Sequence, residues 1–436
     1  MKIFKKLSAA VLVFALVISS LCTGNVRTFA DETPMLISTR LQVGSKVHGF
    51  TLNLYQEDES VNGYLQVWEH DKTGAQVFMV INDDPEKAFG ILFKTEPEDD
   101  TGKLHILEHA SCAASEKYPG RDVFFDLVTQ GFITDINAQT WHSSTIYFLG
   151  SLDEQELMNG ADFYLDSAFN SLIRKEKKYF EREGWRYVIN DENDPLEVTG
   201  VVYNEMKGAL SDIDQYAFTN VMKYLFPGSS YGYESGGLPD RILDLTYEEL
   251  IDFYDKCYHP SNCTAVVYGN VDYNIWLEEF DSYFGKFERE EFEAPAKYVP
   301  KGNYGTVTEY FPVSADTDDV TGRLLYIWDL PDELSYADFS ALNMLAEYEK
   351  QLTSPLMQAL NASGIGSNYG IYLDSLGDQK IFFVYVSDAD TSRAEEFKSL
   401  VDEQFAAIAV STLDQEYIDC MFESWELSEA LGFNAS

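Results

Sequence analysis

Gly102-Lys103-Leu104-His105-Ile106-Leu107-Glu108-His109-Ala110 carries a His-x-x-Glu-His pattern. On a helix, His105 and His109 sit one turn apart and face the same way. Two imidazoles then lie on one side of a metal ion. Glu108, one residue before the second histidine, is close enough to that face to take a proton from water at the metal. The order reverses the His-Glu-x-x-His arrangement of many metal-dependent hydrolases. The competing reading is an amphipathic helix with two surface histidines. The flanks argue against it, because Leu104, Ile106, Leu107 and Ala110 are apolar and predict a largely buried helix. Buried histidines need partners, and a metal supplies one. The chain has six histidines (His48, His70, His105, His109, His142 and His259), and two of them fall in this one motif.

Two imidazoles do not make a site. A catalytic zinc takes three protein ligands and keeps a fourth position open. His142 falls in a predicted loop and His259 precedes Pro260, while a carboxylate would serve equally well. Glu205, in Val201-Val202-Tyr203-Asn204-Glu205-Met206-Lys207-Gly208, is the best candidate, on a predicted long helix with an apolar face. Spacing alone does not choose it over Glu181 or Glu183. No Cys-x-x-Cys pair occurs, which argues against a cysteine-based zinc site. Cys112, three residues after His109, is within reach of the metal but reads rather as a small buried apolar residue on the same helix. Cys257 and Cys263 are near enough in sequence to bridge, and nothing requires that they do.

Working outward, the pattern from Phe50 to Thr95 is strand-like. Tyr64–Trp68 and Val77–Ile81 flank the turn Asp71-Lys72-Thr73-Gly74, and Ala88–Phe93 reads as a buried strand. Thr101 is the expected cap of the His105 helix. Two strands, Phe132–Ala138 and Ser144–Leu149, are joined through Gln139–Ser143. Helical spacing marks Glu154–Leu172, Val201–Phe226 and Tyr247–Cys257, with a strand at Cys263–Gly269 and a helix at Ile275–Phe287. A charged stretch with Pro295 and Pro300 follows. The same grammar then repeats, with strands at Gly305–Phe311, Leu324–Leu330, Gly370–Leu373 and Lys380–Val386 among helices, but without a second His-x-x-Glu-His. The expected class is α+β: two related domains, each a mainly antiparallel sheet packed with helices. The division is a leader over 1–30, a metal-binding domain over 31–290, a linker over 291–303 and a second, non-metal-binding domain over 304–436.

With 436 residues, 45% of them hydrophobic, the chain can build two or three cores at roughly 100–200 residues per domain. Its 31 Lys+Arg against 73 Asp+Glu leave a formal net charge of −42. That argues against a nucleic-acid partner, and it either steers basic or amphipathic peptides to the surface or serves solubility alone. Lys2, Lys5 and Lys6, the apolar run Leu7–Leu21 and Thr28-Phe29-Ala30 have the form of a cleavable secretory signal cut after Ala30. That run is short for a membrane span, and nothing later is long and apolar enough. Leu21 is bulky where a lipidation site before Cys22 needs a small residue, so simple secretion is expected, with cell-surface attachment left open.

Further residues fall into a known pattern: Val47-His48-Gly49-Phe50, Lys72-Thr73-Gly74-Ala75, Lys117-Tyr118-Pro119, Asn137-Ala138, Glu183-Gly184-Trp185, Gly200 to Gly208 and Tyr258-His259-Pro260-Ser261-Asn262. With the His105–His109 motif, they make the chain resemble the insulinase-type (pitrilysin) metallopeptidases, in particular the presequence-protease and falcilysin branch. The resemblance is strong from about Leu41 to Phe287. It continues weakly through Ser354-Pro355-Leu356 and Gly364-Ile365-Gly366-Ser367.

The resemblance implies that His105, His109 and Glu205 are zinc (Zn2+) ligands and that Glu108 is the general base. It implies that Asn137 and Ala138 line a cleft where a peptide substrate is held as an added strand. It also implies a four-domain enzyme in two halves, of which this chain resembles the N-terminal one, with Phe422–Leu427 opening the hairpin that joins them. Trp141-His142-Ser143-Ser144 departs from the family pattern. The expected function is a secreted zinc metalloendopeptidase acting on peptides or unfolded segments, with a C-terminal-half chain or a homodimer as partner. The alternatives are an idle peptide-binding subunit and a half enzyme active only with a separate C-terminal half.

Overall fold

Alternating burial decides the first strands. In the computed structural model, Gln76–Ile81 and Cys263–Gly269 bury every second residue, as strands with one packed face do. Ser144–Ser151 is buried almost throughout and so lies inside a sheet. The structure describes residues 41–120, 123–292, 301–302, 305–313, 322–331, 334–376 and 379–434. The expected leader and much of the expected linker fall outside them. The strands are β1 Lys46–Val47, β2 Phe50–Asp58, β3 Gly63–His70, β4 Gln76–Ile81, β5 Lys87–Lys94, β6 Ile133–Thr140 and β7 Ser144–Ser151. They continue with β8 Arg186–Val188, β9 Glu197–Thr199, β10 Cys263–Gly269, β11 Gly322–Asp329, β12 Asn368–Leu376 and β13 Gln379–Ala389. The helices of four residues or more are α1 Lys103–Cys112, α2 Val123–Gln130, α3 Glu154–Phe169, α4 Lys178–Glu183, α5 Val201–Ala209, α6 Ile213–Leu225 and α7 Pro239–Ile242. They continue with α8 Tyr247–Cys257, α9 Tyr273–Phe284, α10 Tyr336–Glu349, α11 Pro355–Ser363, α12 Ala394–Ile408 and α13 Gln415–Asn434. None of these helices is long and apolar enough to cross a membrane.

The chain divides into two compact units. The first comprises Met1–Ala209, Tyr233–Pro295 and Gly432–Ser436. Its eight-stranded sheet has the order β1-β2-β3-β4-β10-β5-β7-β6. All neighbours are antiparallel except β4 and β10. The late strand β10 is inserted between β4 and β5, so the sheet closes only after some 260 residues of chain. Aromatic packing ties α9 onto it, with Trp276 stacked on Phe89 at 5.8 Å between centroids. Strand β6 is the outer edge beside β7.

The second unit comprises Leu210–Gly232 and Ala296–Leu431. It therefore takes in a segment from the stretch 31–290 read as one domain. Its three-stranded antiparallel sheet has the order β11-β13-β12. One face packs Val384, Val386 and Ile371 against Leu356, Leu360 and Val401 of the helices. The other face packs Ile381, Ile327 and Phe383 against Met222 and Phe226.

Three local expectations change. The single helix Val201–Phe226 is two helices, α5 and α6. The Asp212 carboxylate accepts from the Asp214 and Gln215 backbone N–H groups and starts α6 afresh, in the second unit. Thr101 does not cap α1. Its hydroxyl donates to Asp99 Oδ1, and the cap position is Gly102 in the left-handed region at φ 67°. Residues 305–313 form no strand.

A polar knot in the first unit has a pH consequence. Asp162 on α3 accepts from Lys117 Nζ, from Tyr118 OH at 2.7 Å and from Tyr283 OH on α9. Burial and the adjacent Asp162 carboxylate push Glu279 up to about 7, against the pull of Lys117 and Lys286. A raised folded-state value gives stability that is complete below the ordinary glutamate range and lost as pH rises through about 7. Glu279→Gln, which mimics the protonated acid, is therefore expected to stabilise the chain at pH 8 and leave it nearly unchanged at pH 4. After discounting for its half-exposed position, the gain is about 1–2 kcal/mol. Urea unfolding midpoints at the two pH values measure it, and equal shifts at both would refute the raised pKa of Glu279.

Candidate metal centre

Helix α1 is held on nearly every side. Leu104, Ile106, Leu107 and Ala110 are fully buried. Lys103 is buried too, paired with Asp99 at 2.9 Å and Glu98 at 3.3 Å. This anchoring leaves one stripe of α1 open, and His105 and His109 lie on it, their ring centroids 4.9 Å apart. Helix α5 brings the third group. Its Val202 and Met206 are buried while Glu205 is exposed. The approach of α5 depends on Gly200, where a Cβ would meet the Gly184 carbonyl at 1.9 Å.

Glu205 Oε2 stands 3.6 Å from His105 Nε2 and 3.6 Å from His109 Nε2. One ligand atom from each of the three residues lies within 4.8 Å of the other two. Among the described residues this is the one group of three or more His, Cys, Asp or Glu with that geometry. Two imidazole nitrogens and one carboxylate oxygen at these separations fit a single divalent cation.

The other candidates fall elsewhere. Glu183, buried at the end of α4, reaches the opposite nitrogen of His109, with Oε2 at 3.7 Å from Nδ1. Its other oxygen accepts from Arg182 Nε at 2.5 Å. A carboxylate behind a ligand imidazole orients the ring and raises its basicity. Glu181, His142 and His259 are not in the cluster. His259 Nδ1 instead accepts from the Ser261 backbone N–H at 3.1 Å. Cys112 is a free thiol whose burial pushes its pKa up, which disfavours the thiolate a metal needs.

Glu108 is 8% exposed and accepts from Thr140 Oγ1 at 2.6 Å. Burial pushes its pKa up, against the Thr140 hydrogen bond and the nearby His109. Burial and His109 hold His105 below the ordinary imidazole range. Burial also pulls on His109, but the Glu183, Glu108 and Glu205 carboxylates outweigh it and raise its pKa. The site thus holds a carboxylate whose proton affinity is raised and an imidazole, His105, whose proton affinity is lowered.

Thr140 ends β6, so the edge strand and the Glu108 side chain are adjacent. Asn137 and Ala138 lie on β6, paired with Phe148 and Tyr147 of β7. Tyr164 OH donates to the Asn137 carbonyl at 2.9 Å, and Asn137 Oδ1 accepts from the Ala138 N–H at 2.9 Å. Among the described residues, the sheet puts no strand on the outer side of β6. Phe125, Val128, Phe132 and Trp141, from α2 and the two ends of β6, are exposed apolar side chains. The contact of Thr140 with Glu108 and that of Glu183 with the far side of His109 have no signature in residue spacing. The sequence offers Glu183 only as a rival ligand and within Glu183-Gly184-Trp185, and nothing in it places the residue behind His109.

Comparison with known proteins bears on the whole chain. Residues 244–420 match the family described as the Peptidase M16 inactive domain. That stretch begins after Glu205 and does not include the cluster. Protein HypA of Clostridium perfringens is 34% identical over 378 residues, covering 85% of this chain and 38% of that protein. The mitochondrial presequence protease of Schizosaccharomyces pombe is 31% identical over 413 residues, covering 92% of this chain and 41% of that one. The chain therefore spans about two-fifths of the length of these relatives. The crystal structure of pitrilysin shares the fold at a TM-score of 0.57 and 18% identity, over 85% of this chain and 41% of pitrilysin. With relatives of 31–34% identity along most of its length and mixed helices and antiparallel sheets in the fold of pitrilysin, the chain is similar to the insulinase-type (pitrilysin, M16) peptidases.

Proposed function

We propose that this chain is the metal-binding half of a secreted zinc metalloendopeptidase that hydrolyses peptides or unfolded segments. The observation that carries the reading is the convergence of His105, His109 and Glu205 within 4.8 Å beside the buried Glu108. Tetrahedral zinc bonds of about 2.1 Å set neighbouring ligand atoms about 3.4 Å apart, close to the 3.6 Å that separates Glu205 Oε2 from each Nε2. When bound, zinc supplies Lewis acidity toward a carbonyl oxygen and acidifies water.

The remaining work belongs to the chain's own groups. Glu108 takes the proton from the attacking water and delivers it to the leaving amine. Thr140 donates to Glu108 Oε2 and holds the carboxylate in one rotamer. The free edge of β6, at Asn137 and Ala138, pairs with the substrate backbone as an added strand, which tolerates many sequences. The exposed apolar side chains near β6 suit hydrophobic residues of the substrate, and the charge of −42 favours basic peptides. The leader-like residues 1–30 support the proposal of secretion.

One observation favours a second reading. The relatives are about two and a half times as long as the matched part, which suits a half enzyme that turns over only with a C-terminal half. Purified chain, stripped with chelator and titrated with zinc, tests both. One zinc per chain with peptide cleavage restored in step is the result expected. One zinc per chain without cleavage selects the half enzyme, and cleavage then returns on adding a C-terminal-half chain. No zinc binding would overturn the proposal.

A further inference from the structure

The segment Glu234–Leu238 lies against the start of α1, although more than 120 residues of chain separate the two. The Glu234 N–H donates to Asp100 Oδ1 at 2.9 Å, and the Leu238 N–H donates to the Asp100 carbonyl at 2.9 Å. The loop is also tied to itself. The Gly236 N–H donates to Glu234 Oε1 at 3.2 Å and the Gly237 N–H to the Glu234 carbonyl at 3.0 Å.

Within this loop Gly236 touches both ligand-bearing helices. Its carbonyl is 3.4 Å from His105 Nδ1. A carbonyl can only accept, so this contact puts the proton on Nδ1 and leaves the lone pair of Nε2 facing Glu205. On the other side, a Cβ at Gly236 would lie 2.6 Å from Sδ and Cε of Met206, the residue after Glu205. The loop can come this near only because its contact with α1 is glycine on glycine. A Cβ at Gly102 would lie 2.5 Å from the Gly236 carbonyl oxygen, and one at Gly237 would lie 2.8 Å from Gly102 Cα. Both residues are in the left-handed region, at φ 67° and 93°.

We propose that the Glu234–Leu238 loop is the positioning element of the metal centre. The Gly236 carbonyl fixes the tautomer of His105, and the bare faces of Gly102, Gly236 and Gly237 set the spacing between the His105 helix and the Glu205 helix. The inference rests on the metal-centre reading above and adds residues that touch neither metal nor substrate. A hydrogen-bond partner behind a ligand histidine commonly accounts for 10–100-fold in metal affinity.

Three variants test it: Gly102→Ala, Gly236→Ala, and Gly236→Ala combined with Met206→Ala. Zinc affinity is read by chelator competition. Site geometry is read from the visible absorption of the cobalt-loaded chain, and folding from the metal-free melting curve. Gly102→Ala forces the loop from α1 against backbone atoms. Gly236→Ala meets side-chain atoms, Sδ and Cε of the buried Met206, rather than backbone, and keeps the test alive if the first variant does not fold. Each single variant is expected to bind zinc about 10–100-fold more weakly with an altered cobalt spectrum. The double variant, with the obstructing Sδ and Cε removed, is expected to regain most of the affinity. Folded single variants with wild-type zinc affinity and an unchanged cobalt spectrum would overturn the loop's role alone. A wild-type chain that binds neither zinc nor cobalt would overturn the metal-centre reading and the loop's role with it.

Discussion

Glu108→Gln is expected to keep its zinc and to cleave peptide about 10²–10⁴-fold more slowly, the usual contribution of a positioned general base. The carboxamide is nearly isosteric with the carboxylate, so the packing around this 8%-exposed side chain is kept. Its oxygen can still accept from Thr140, which donates to Glu108 at 2.6 Å. Only the ability to take a proton is lost. Because Glu108 is not among the three clustered ligand atoms, metal content is unaffected. The measurement is kcat/KM on a quenched peptide at saturating zinc, with zinc content determined on the same sample. In a half enzyme, it is made with the C-terminal half present. Activity within a few-fold of the wild type would remove Glu108 from the reaction.

Glu205→Gln should act on the metal first. Glu205 Oε2 is an anionic atom 3.6 Å from each Nε2, and a neutral amide oxygen is a much poorer ligand. Zinc affinity is expected to fall by more than about 100-fold, beyond the loss of an outer partner such as Glu183. Peptide cleavage should fall with it and recover partly at high zinc, a rescue that Glu108→Gln cannot show. Glu205 is exposed, while Val202 and Met206 carry the packing of α5. The metal-free chain should therefore melt where the wild type does. Undiminished zinc affinity would move the third ligand elsewhere, with Glu183, 3.7 Å from His109 Nδ1, as the next group to test.

Much of this architecture follows from local pattern. The strands β3, β4, β5, β7 and β10 are alternating or continuous apolar runs, and these runs are the part of a fold that period-two reasoning recovers. The helices α3, α8 and α12 have the spacing of one buried face. The misses have local causes of another kind. The break between α5 and α6 hangs on the Asp212 side chain capping the next helix, within a stretch whose apolar spacing runs on unbroken. Residues 305–313 have strand-like composition, but a strand also needs a neighbour to pair with, and composition does not supply one.

The centre itself divides along the same line. That His105 and His109 share a face, with Glu108 beside them and apolar residues around, was determined by the sequence alone, because the helical period acts within one turn. Which carboxylate joins them is not set by spacing: Glu205 is the leading candidate, and the tertiary structure is what brings it, rather than Glu181 or Glu183, to both Nε2 atoms. Glu181, Glu183 and Glu205 are all plausible by residue type. The two nitrogens of an imidazole point in opposite directions, so a carboxylate stands either on the ligand side, as Glu205 does, or behind the ring, as Glu183 does. That choice depends on where α4 and α5 cross α1, and on Gly200 letting them approach. The Gly236 carbonyl behind His105 and the Thr140 hydroxyl on Glu108 likewise arrive from other elements. No periodicity encodes such meetings, because they are set by close packing between segments that lie about 30 to 130 residues apart in the chain.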